Sequence, residues 1–208
     1  MGNSVIIKNL VFKYTNLNND FKLGPVALTV PKSSLVLFHG KNGSGKTTFA
    51  RIITNKLTRN IISDELIIPS KSFYYNQLIE ENIFPELTVF EHLKLFSKTS
   101  TYKSGELLAL FPIFSYLKDK YPDELSGGQK QLLSFCTIIS KSLDLIVFDE
   151  IFNHLDIETS KNVLKIIKDE LVIKREMTII LIAHHFTFIE PHCDKILEFT
   201  DGLITNIN

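Results

Sequence analysis

The chain has 208 residues, of which 44% are hydrophobic and 22% are charged. This length supports one domain with a buried core, and the composition excludes a disordered or fibrous protein. The formal net charge is zero and the Lys and Arg residues are scattered, so we expect no nucleic-acid partner, because phosphate-backbone binding requires a basic surface.

The apolar runs and the cysteines indicate the cellular environment in which the protein works. The longest apolar run, Met177 to Ala183, is far shorter than the roughly 20 residues that span a bilayer. We also expect no signal peptide, because a strand-like segment follows the first four residues. Cys136 and Cys193 match no metal-ligand spacing, which predicts two reduced thiols. Work at a membrane would therefore require a membrane-spanning partner.

The first third of the chain is predicted to be rich in strands and to lead into a Gly-rich turn. The pattern predicts the strands Val5–Ile7, Leu10–Tyr14, Val26–Val30 and Leu35–His39, a turn at Asn16–Asp20 and a helix over Thr48–Asn55. The first two strands are interpreted as a hairpin-like antiparallel region. Leu35–His39 is apolar enough for a buried strand, and it runs directly into the glycines.

Helical patterns dominate the stretch 78–125, which follows a short predicted strand at Phe73–Tyr75. Thr88 with Glu91 three residues later forms a capping-box pattern, which opens a helix. Further helical pieces are predicted at Glu106–Leu110 and Ile113–Lys118. We interpret this stretch as a small helical subdomain inserted into an α/β domain.

The last third alternates helices with apolar strands. The predicted elements are a helix from Ser126 to about Lys141, the strand Leu145–Phe148, a helix within 160–173, and the strands Thr178–Ile182, Lys195–Phe199 and Leu203–Thr205. Such alternation is typical of a mainly parallel sheet covered by helices.

A phosphate-binding loop is predicted at Gly40–Thr47, which has the sequence Gly-Lys-Asn-Gly-Ser-Gly-Lys-Thr between a strand and a helix. Its glycines let backbone N–H groups point at phosphate oxygens, and the helix adds its positive end. Lys46 is predicted to reach the β- and γ-phosphates, and Thr47 to bind Mg²⁺. The alternative, a Gly-rich turn that binds nothing, is disfavoured by the flanking strand and helix. The predicted nucleotide contacts here are Gly40, Asn42, Gly43, Gly45, Lys46, Thr47 and Thr48.

Two adjacent carboxylates end the apolar strand Leu145–Phe148. Ligands of open α/β sheets bind at the carboxyl ends of the strands. Asp149 suits Mg²⁺, and Glu150 suits the base that polarises an attacking water. An apolar strand that ends in Asp-Glu is by itself a weak signal, but its co-occurrence with a phosphate loop favours a catalytic site.

A second anion-binding pattern, Leu-Ser-Gly-Gly-Gln, stands at 125–129. Ser126, Gly127 and Gly128 at a helix start would expose N–H groups and a hydroxyl to an anion. The alternative is an ordinary Ser-capped helix. Because the chain already has one phosphate loop, the second pattern is explained if it contacts the ATP of a facing subunit.

With these motifs in this order, the sequence resembles the ATP-binding cassette (ABC) family over nearly its whole length. The resemblance implies a P-loop NTPase core with a mainly parallel sheet, an N-terminal antiparallel β region and an inserted helical subdomain. On this basis we predict one domain over 1–208, with the core at 1–77 and 126–208 and the helical subdomain at 78–125. It also implies ATP and Mg²⁺ as cofactors, and a second ABC ATPase domain and a transmembrane permease as partners.

Further site residues are implied only by the resemblance. Tyr14 resembles the aromatic that stacks on adenine, Gln77 the Q-loop glutamine that serves metal and catalysis, and His184 the switch histidine at the γ-phosphate. Gln129 completes the signature and Asp156 ends the D-loop. Each has an ordinary alternative: a half-buried strand aromatic for Tyr14, a loop amide for Gln77, a structural histidine for His184.

Departures from the family pattern indicate a divergent member. Ile151 replaces the usual Pro after the catalytic Glu, Ala183 the usual Thr or Ser before the switch His, and Ser33-Ser34 the usual Gly-Glu. Leu132 and Thr137 stand where the signature helix usually carries Arg. None of these changes removes a group that the chemistry needs.

The functional hypothesis is an ATP-hydrolysing transporter subunit or domain at the cytoplasmic face of a membrane. The segment Asp20–Val26 resembles one in exporters of cyclic or modified peptides, so peptide export is one expectation. A heme-exporter-type ATPase and a soluble non-transport ABC ATPase are the alternatives.

Overall fold

The computed structural model describes residues 2–15, 21–76, 83–97, 104–183 and 187–206. The chain divides into two compact units. The first comprises Met1–Tyr75, Leu143–Glu150 and Val163–Asn208, and the second comprises Asn76–Ser142 and Ile151–Asn162. The second unit contains the predicted helical subdomain, but it also takes in the helix after Ser126 and the segment after Glu150. The predicted boundaries at 77/78 and 125/126 therefore differ from this division.

Strands of the first unit form two sheets. Those described are β1 (Asn3–Lys13), β2 (Lys22–Pro31), β3 (Leu35–Gly40), β4 (Ile61–Ile62), β5 (Glu65–Ile67), β6 (Ser72–Tyr75), β7 (Leu145–Asp149), β8 (Thr178–Ile182), β9 (Lys195–Thr200) and β10 (Leu203–Asn206). In the first sheet β1 pairs antiparallel with β2, β4 and β5. This confirms the N-terminal antiparallel region.

The hairpin predicted within residues 5–14 is wrong, since β1 is one strand and its hairpin partner is β2. The register shifts between Ile7 and Leu10, and Asn9 has a φ of 53°. A bulge of this kind interrupts the alternation of side chains without ending the strand. Local pattern alone therefore suggested two strands. The predicted turn at Asn16–Asp20 lies outside the described residues.

The second sheet has the order β10-β9-β3-β8-β7-β6. Strands β9, β3, β8, β7 and β6 run parallel, and β10 is antiparallel to β9. The prediction of a mainly parallel sheet is confirmed. Strands β3 and β7 run parallel, with β8 between them. Their carboxyl ends therefore emerge near each other on one side of the sheet, where ligands of such sheets bind.

The described helices are α1 (Lys46–Ile53), α2 (Val89–Ser97), α3 (Ser104–Leu110), α4 (Ile113–Leu117), α5 (Gly127–Ile139) and α6 (Ile157–Ile166), which continues as a π-helical segment over Ile167–Lys174. The predicted capping box opens α2: the Thr88 N–H donates to Glu91 Oε2 at 2.8 Å, and the Glu91 N–H to Thr88 Oγ1 at 3.3 Å. Of the helices in the described ranges, none has the length and apolar character to cross a membrane.

The core of the first unit contains buried residues of α1 and of both sheets. The rings of Phe38, Phe49 and Phe199, from β3, α1 and β9, lie 4.9–5.7 Å apart. All three side chains are fully buried, and aromatic groups of this size dominate the hydrophobic stabilisation of a core. This packing holds the end of β3 and the start of α1 in a defined relation, and the loop between them is the predicted phosphate loop.

Gly202, between β9 and β10, lies close to the backbone of another segment. Gly202 has a φ of 80°, and a Cβ there would lie 1.9 Å from the Lys22 carbonyl oxygen. We expect Gly202→Ala to lower the free energy of unfolding by about 2 kcal/mol or more, because both the backbone conformation and the space exclude a side chain. Urea unfolding followed by circular dichroism measures this.

The matched control is Gly105→Ala in α3, where an added Cβ meets nothing within 4 Å. The same substitution there should be neutral or stabilise by about 0.5–1 kcal/mol, because alanine favours the helix. Equal unfolding midpoints for Gly202→Ala and the unchanged protein would refute the close approach at Gly202.

Candidate functional site

The loop between β3 and α1 requires its glycines. Gly40, Gly43 and Gly45 have φ values of 140°, 78° and 109°. A Cβ on Gly40 would lie 2.2 Å from the Phe199 carbonyl oxygen, and one on Gly45 would lie 2.9 Å from Phe21 Cζ. A Cβ on Gly43 would meet no atom within 4 Å, so the backbone there borders open space. The loop thus has the compact, curled backbone that an anion-binding loop needs.

Lys46 is the first residue of α1, and its side chain folds back over the loop. It is only 6% exposed, and Nζ donates to the carbonyl oxygens of Gly40 at 2.7 Å and Lys41 at 2.8 Å. Burial lowers the pKa of Lys46, while the carboxylates of Asp149 and Glu150 act in the opposite direction. Its two hydrogen bonds hold the Lys46 side chain at the start of α1, where the helix dipole favours an anion.

Asp149 ends the buried strand β7, and its carboxylate connects three elements. Its Oδ2 accepts a hydrogen bond from Thr47 Oγ1 at 3.0 Å and one from the Tyr74 hydroxyl at 2.5 Å. Burial raises the pKa of Asp149, and the hydrogen bonds from Tyr74 and Thr47 oppose this rise. The predicted Mg²⁺ residues Thr47 and Asp149 are thus adjacent. Hydroxyl and carboxylate oxygens are ligands that suit Mg²⁺.

Glu150 directly follows β7 in an unusual backbone conformation. Its φ is 58°, and its N–H donates to the Ile182 carbonyl oxygen at 2.9 Å. A non-glycine residue in this region costs about 1–3 kcal/mol, and such residues cluster at functional sites. The neighbouring strand β8 therefore helps to hold the backbone of Glu150 beside Asp149.

These residues line one cavity of about 360 Å³ that lies wholly within the first unit. Its walls are Tyr14, Phe21, Asn42, Gly43, Gly45, Lys46, Thr47, Thr48, Asp149, Glu150 and Ile182. The predicted nucleotide contacts Asn42, Gly43, Gly45, Lys46, Thr47 and Thr48 therefore lie in one place with both carboxylates, whereas Gly40 does not line this cavity. Tyr14 joins them from the end of β1, and its hydroxyl shares a 2.9 Å hydrogen bond with Thr48 Oγ1.

Three residues of this site were not predicted from the sequence. Phe21 and Ile182 line the cavity, and Tyr74 contacts Asp149 from β6. Phe21 follows an Asn-rich stretch, and Ile182 and Tyr74 lie in strands whose apolar pattern indicates only burial. The parallel pairing of β6 with β7 brings Tyr74 near Asp149, and this pairing is not visible in the local sequence.

The signature segment lies in the second unit, at the start of α5. Ser126 caps this helix: its Oγ accepts from the Gln129 N–H at 3.3 Å, and its own N–H donates to Gln129 Oε1 at 2.9 Å. Ser126 and Gly127 are exposed. Ser126 therefore acts as an ordinary helix cap, and the start of α5 is also accessible to a second molecule.

Contacts inside the second unit join α5 to the segment after Glu150. A Cβ on Gly128 would lie 2.8 Å from the His154 carbonyl oxygen, and Gln131 Nε2 donates to the Ile151 carbonyl oxygen. Asp156 caps α6, accepting from the Thr159 N–H at 2.8 Å and from the Thr159 hydroxyl at 2.7 Å. Gln77 and His184 lie outside the described residues.

Comparison with known proteins agrees with this architecture. The protein-family model described as ABC transporter matches residues 23–153. The arginine transport ATP-binding protein ArtM of Bacillus subtilis is 28% identical over 201 residues, covering 86% of this chain and 81% of ArtM. The glutamine transport ATP-binding protein GlnQ of Geobacillus stearothermophilus is 30% identical over 203 residues, covering 88% of this chain and 82% of GlnQ.

A solved structure shares the fold. It is the dimeric post-hydrolysis state of the ATP-binding cassette MJ0796 bound to ADP and Pi, with a TM-score of 0.75 at 20% identity over 98% of this chain and 99% of that one. The family match covers more than half of the chain, and the phosphate loop and the strand that ends in Asp149 both lie inside it. The chain therefore belongs to the ABC transporter family, as an ATP-binding cassette that hydrolyses ATP.

Proposed function

We propose that this cassette hydrolyses Mg-ATP between two facing copies, or between itself and a related cassette, and so drives a membrane transporter. The observation that carries the proposal is the cavity where Lys46, Thr47, Asp149 and Glu150 meet. Lys46 and the loop N–H groups bind the β- and γ-phosphates, while Tyr14 contacts the adenine. Phosphoryl transfer by such sites depends on positioning and electrostatic stabilisation.

In this proposal Thr47 and Asp149 hold Mg²⁺, with Gln77 as a further ligand. Bound there, the ion would neutralise charge that develops on the phosphate oxygens. Glu150 orients and polarises the attacking water, a contribution of about 10²–10⁴ in rate. His184 contacts the γ-phosphate. Asp149 is half-buried, so its carboxylate interacts more strongly with a cation than it would in bulk water.

The signature segment completes the site of the facing molecule. Ser126 and Gly127 are exposed at the start of a 13-residue helix, where N–H groups favour an anion. A head-to-tail arrangement of two cassettes, each contributing one phosphate loop and one signature helix, gives two ATP sites. Asp156 and Gly128 belong to the same contact region in this proposal. Loss of the γ-phosphate removes a shared ligand, so the pair opens.

Substitution of Gly127 tests the facing-molecule role without disturbing the fold. An added Cβ at Gly127 meets nothing within 4 Å, and an acidic residue near a helix N-terminus stabilises the helix. Gly127→Asp should therefore fold and bind ATP as a monomer within about twofold of the unchanged protein. Its turnover and ATP-dependent dimerisation should fall by about tenfold or more, because a carboxylate repels the partner's phosphate.

Fluorescent-nucleotide binding, phosphate release and size-exclusion chromatography measure the three quantities. Gly127→Ala is the matched control, since it adds the Cβ without the charge. Its loss of turnover and of ATP-dependent dimerisation should be clearly smaller. ATP-dependent pairing and turnover of Gly127→Asp at the unchanged level would rule out a facing site at this helix.

Transport coupling is proposed because the relatives named above are transport ATP-binding proteins. We expect the cassette to sit at the cytoplasmic face of a membrane through a permease partner. The relatives are named for arginine and glutamine, so they lend no support to the peptide-export expectation. Purification of the tagged chain from detergent-solubilised membranes should recover an integral membrane permease, and recovery of only soluble proteins would contradict transport.

A further inference from the structure

Tyr74 is a buried residue of β6 whose hydroxyl contacts Asp149 behind the wall of the cavity. Its side chain is 9% exposed, and the hydroxyl donates to Asp149 Oδ2 at 2.5 Å. Tyr74 pairs with Val147 of the parallel strand β7, two residues before Asp149. Hydrogen bonds to a carboxylate are shorter and roughly twice as strong as neutral ones. This contact is therefore an energetically significant part of the Asp149 environment.

The same oxygen of Asp149 accepts a second hydrogen bond. Thr47 Oγ1 on α1 lies 3.0 Å from Asp149 Oδ2, so donors from α1 and β6 converge on one atom. A carboxylate with a single donor can rotate about its terminal bond, because this torsion is broad. Two donors from different elements restrict this rotation and define where the carboxylate stands relative to the Thr47 hydroxyl.

Tyr74 is itself braced by the helix that carries Thr47. The guanidinium carbon of Arg51, near the end of α1, lies 5.8 Å from the centroid of the Tyr74 ring. This is within the range of a cation–π interaction. The ring is thus held between its own strand and α1, and the hydroxyl is presented to Asp149 in a defined position.

We propose that Tyr74 is a positioning residue of the nucleotide site: its hydroxyl orients the Asp149 carboxylate beside Thr47, so that the two side chains can receive Mg²⁺ together. The inference rests on the proposed function, because it concerns the same metal and nucleotide. It adds a residue from β6 that acts through Asp149 rather than directly on the nucleotide or the metal. Its effect is on the metal requirement rather than on nucleotide binding itself.

The test is Tyr74→Phe, which removes the hydroxyl and keeps the ring for packing and for Arg51. With fluorescent ATP held below its dissociation constant, the Mg²⁺ concentration for half-maximal binding should rise about tenfold, consistent with the loss of one hydrogen bond to a charged group. ATP affinity in EDTA should stay within about twofold. At saturating Mg²⁺ most of the turnover should return.

Tyr75→Phe is the matched control. It removes a hydroxyl from the next residue of β6, whose ring packs on Phe148 at a centroid distance of 5.7 Å. Its Mg²⁺ requirement should equal that of the unchanged protein. A general loosening of β6 would affect both variants, whereas loss of orientation affects only Tyr74→Phe.

A double-mutant cycle supplies a second measurement that separates positioning from packing. In an Asp149→Asn background, Tyr74→Phe should change the Mg²⁺ requirement by less than about threefold, because the carboxylate that it orients is gone. The inference is overturned by an unchanged or lowered Mg²⁺ requirement in Tyr74→Phe alone, or by an equally large rise whether or not Asp149 has been replaced. An absence of any Mg²⁺ effect on ATP binding by the unchanged protein also overturns the inference, whereas an absence of Mg²⁺-dependent ATP turnover contradicts the proposed function itself.

Discussion

Glu150→Gln should nearly abolish turnover while leaving ATP bound. The substitution keeps the shape of the side chain and the backbone bond from residue 150 to the Ile182 carbonyl. It removes the carboxylate that would polarise the attacking water, a contribution of about 10²–10⁴ in rate. Because the γ-phosphate is then not cleaved, ATP-linked pairs should accumulate. Phosphate release and size-exclusion chromatography with ATP measure the two effects.

The matched control for this prediction is Glu158→Gln in the first turn of α6. Glu158 is exposed, and the substitution is chemically identical, so its turnover should remain within about twofold. The nearly complete loss should be confined to residue 150. If Glu150→Gln hydrolyses ATP as fast as the unchanged protein, Glu150 is not the base.

Lys46→Met should strongly weaken ATP binding. Methionine keeps a long unbranched side chain but lacks the ammonium group, which lies at the helix start and within a cavity lined by Asp149 and Glu150. Without it, the repulsion between these carboxylates and the triphosphate would be less well compensated. We expect ATP affinity to fall by about 100-fold or more, since a charge-assisted contact in a buried site is lost. Equilibrium binding of a fluorescent ATP analogue measures this.

The stability of the fold should also fall. Lys46 also donates to the Gly40 and Lys41 carbonyl oxygens, so its loss should lower the free energy of unfolding by about 1–3 kcal/mol. Lys41→Met makes the same chemical change on an exposed side chain of the same loop, and its ATP affinity should change by less than about threefold. Comparable losses in both variants would show that general positive charge, rather than Lys46, attracts the nucleotide.

Local chemistry made much of this site predictable. A phosphate loop uses adjacent residues, so its glycines, Lys46 and Thr47 are recognisable within eight positions of sequence. The apolar run Leu145–Phe148 identified a buried parallel strand, and the carboxylates that follow it had to emerge at its end. The capping residues Thr88 and Ser126 were predictable for the same reason, because each acts on N–H groups only three residues away.

Contacts between distant segments were not predictable in this way. The bulge at Asn9 made one strand look like two, and the short strands β4 and β5 form only because β1 pairs with them. The helix after Ser126 belongs to the compact unit of helical pieces rather than to the sheet unit. In each case the deciding interaction joins residues far apart in the chain.

A phosphate-binding loop, a strand that ends in two carboxylates and a helix that starts at Ser126 can each be recognised from the amino-acid sequence, because each is a local pattern of residue types. The contact between Tyr74 and Asp149, which lie 75 positions apart in the chain, became visible only in the folded protein. Parallel pairing of β6 with β7 makes these two side chains neighbours, and the residues of one strand do not identify the strand with which it pairs.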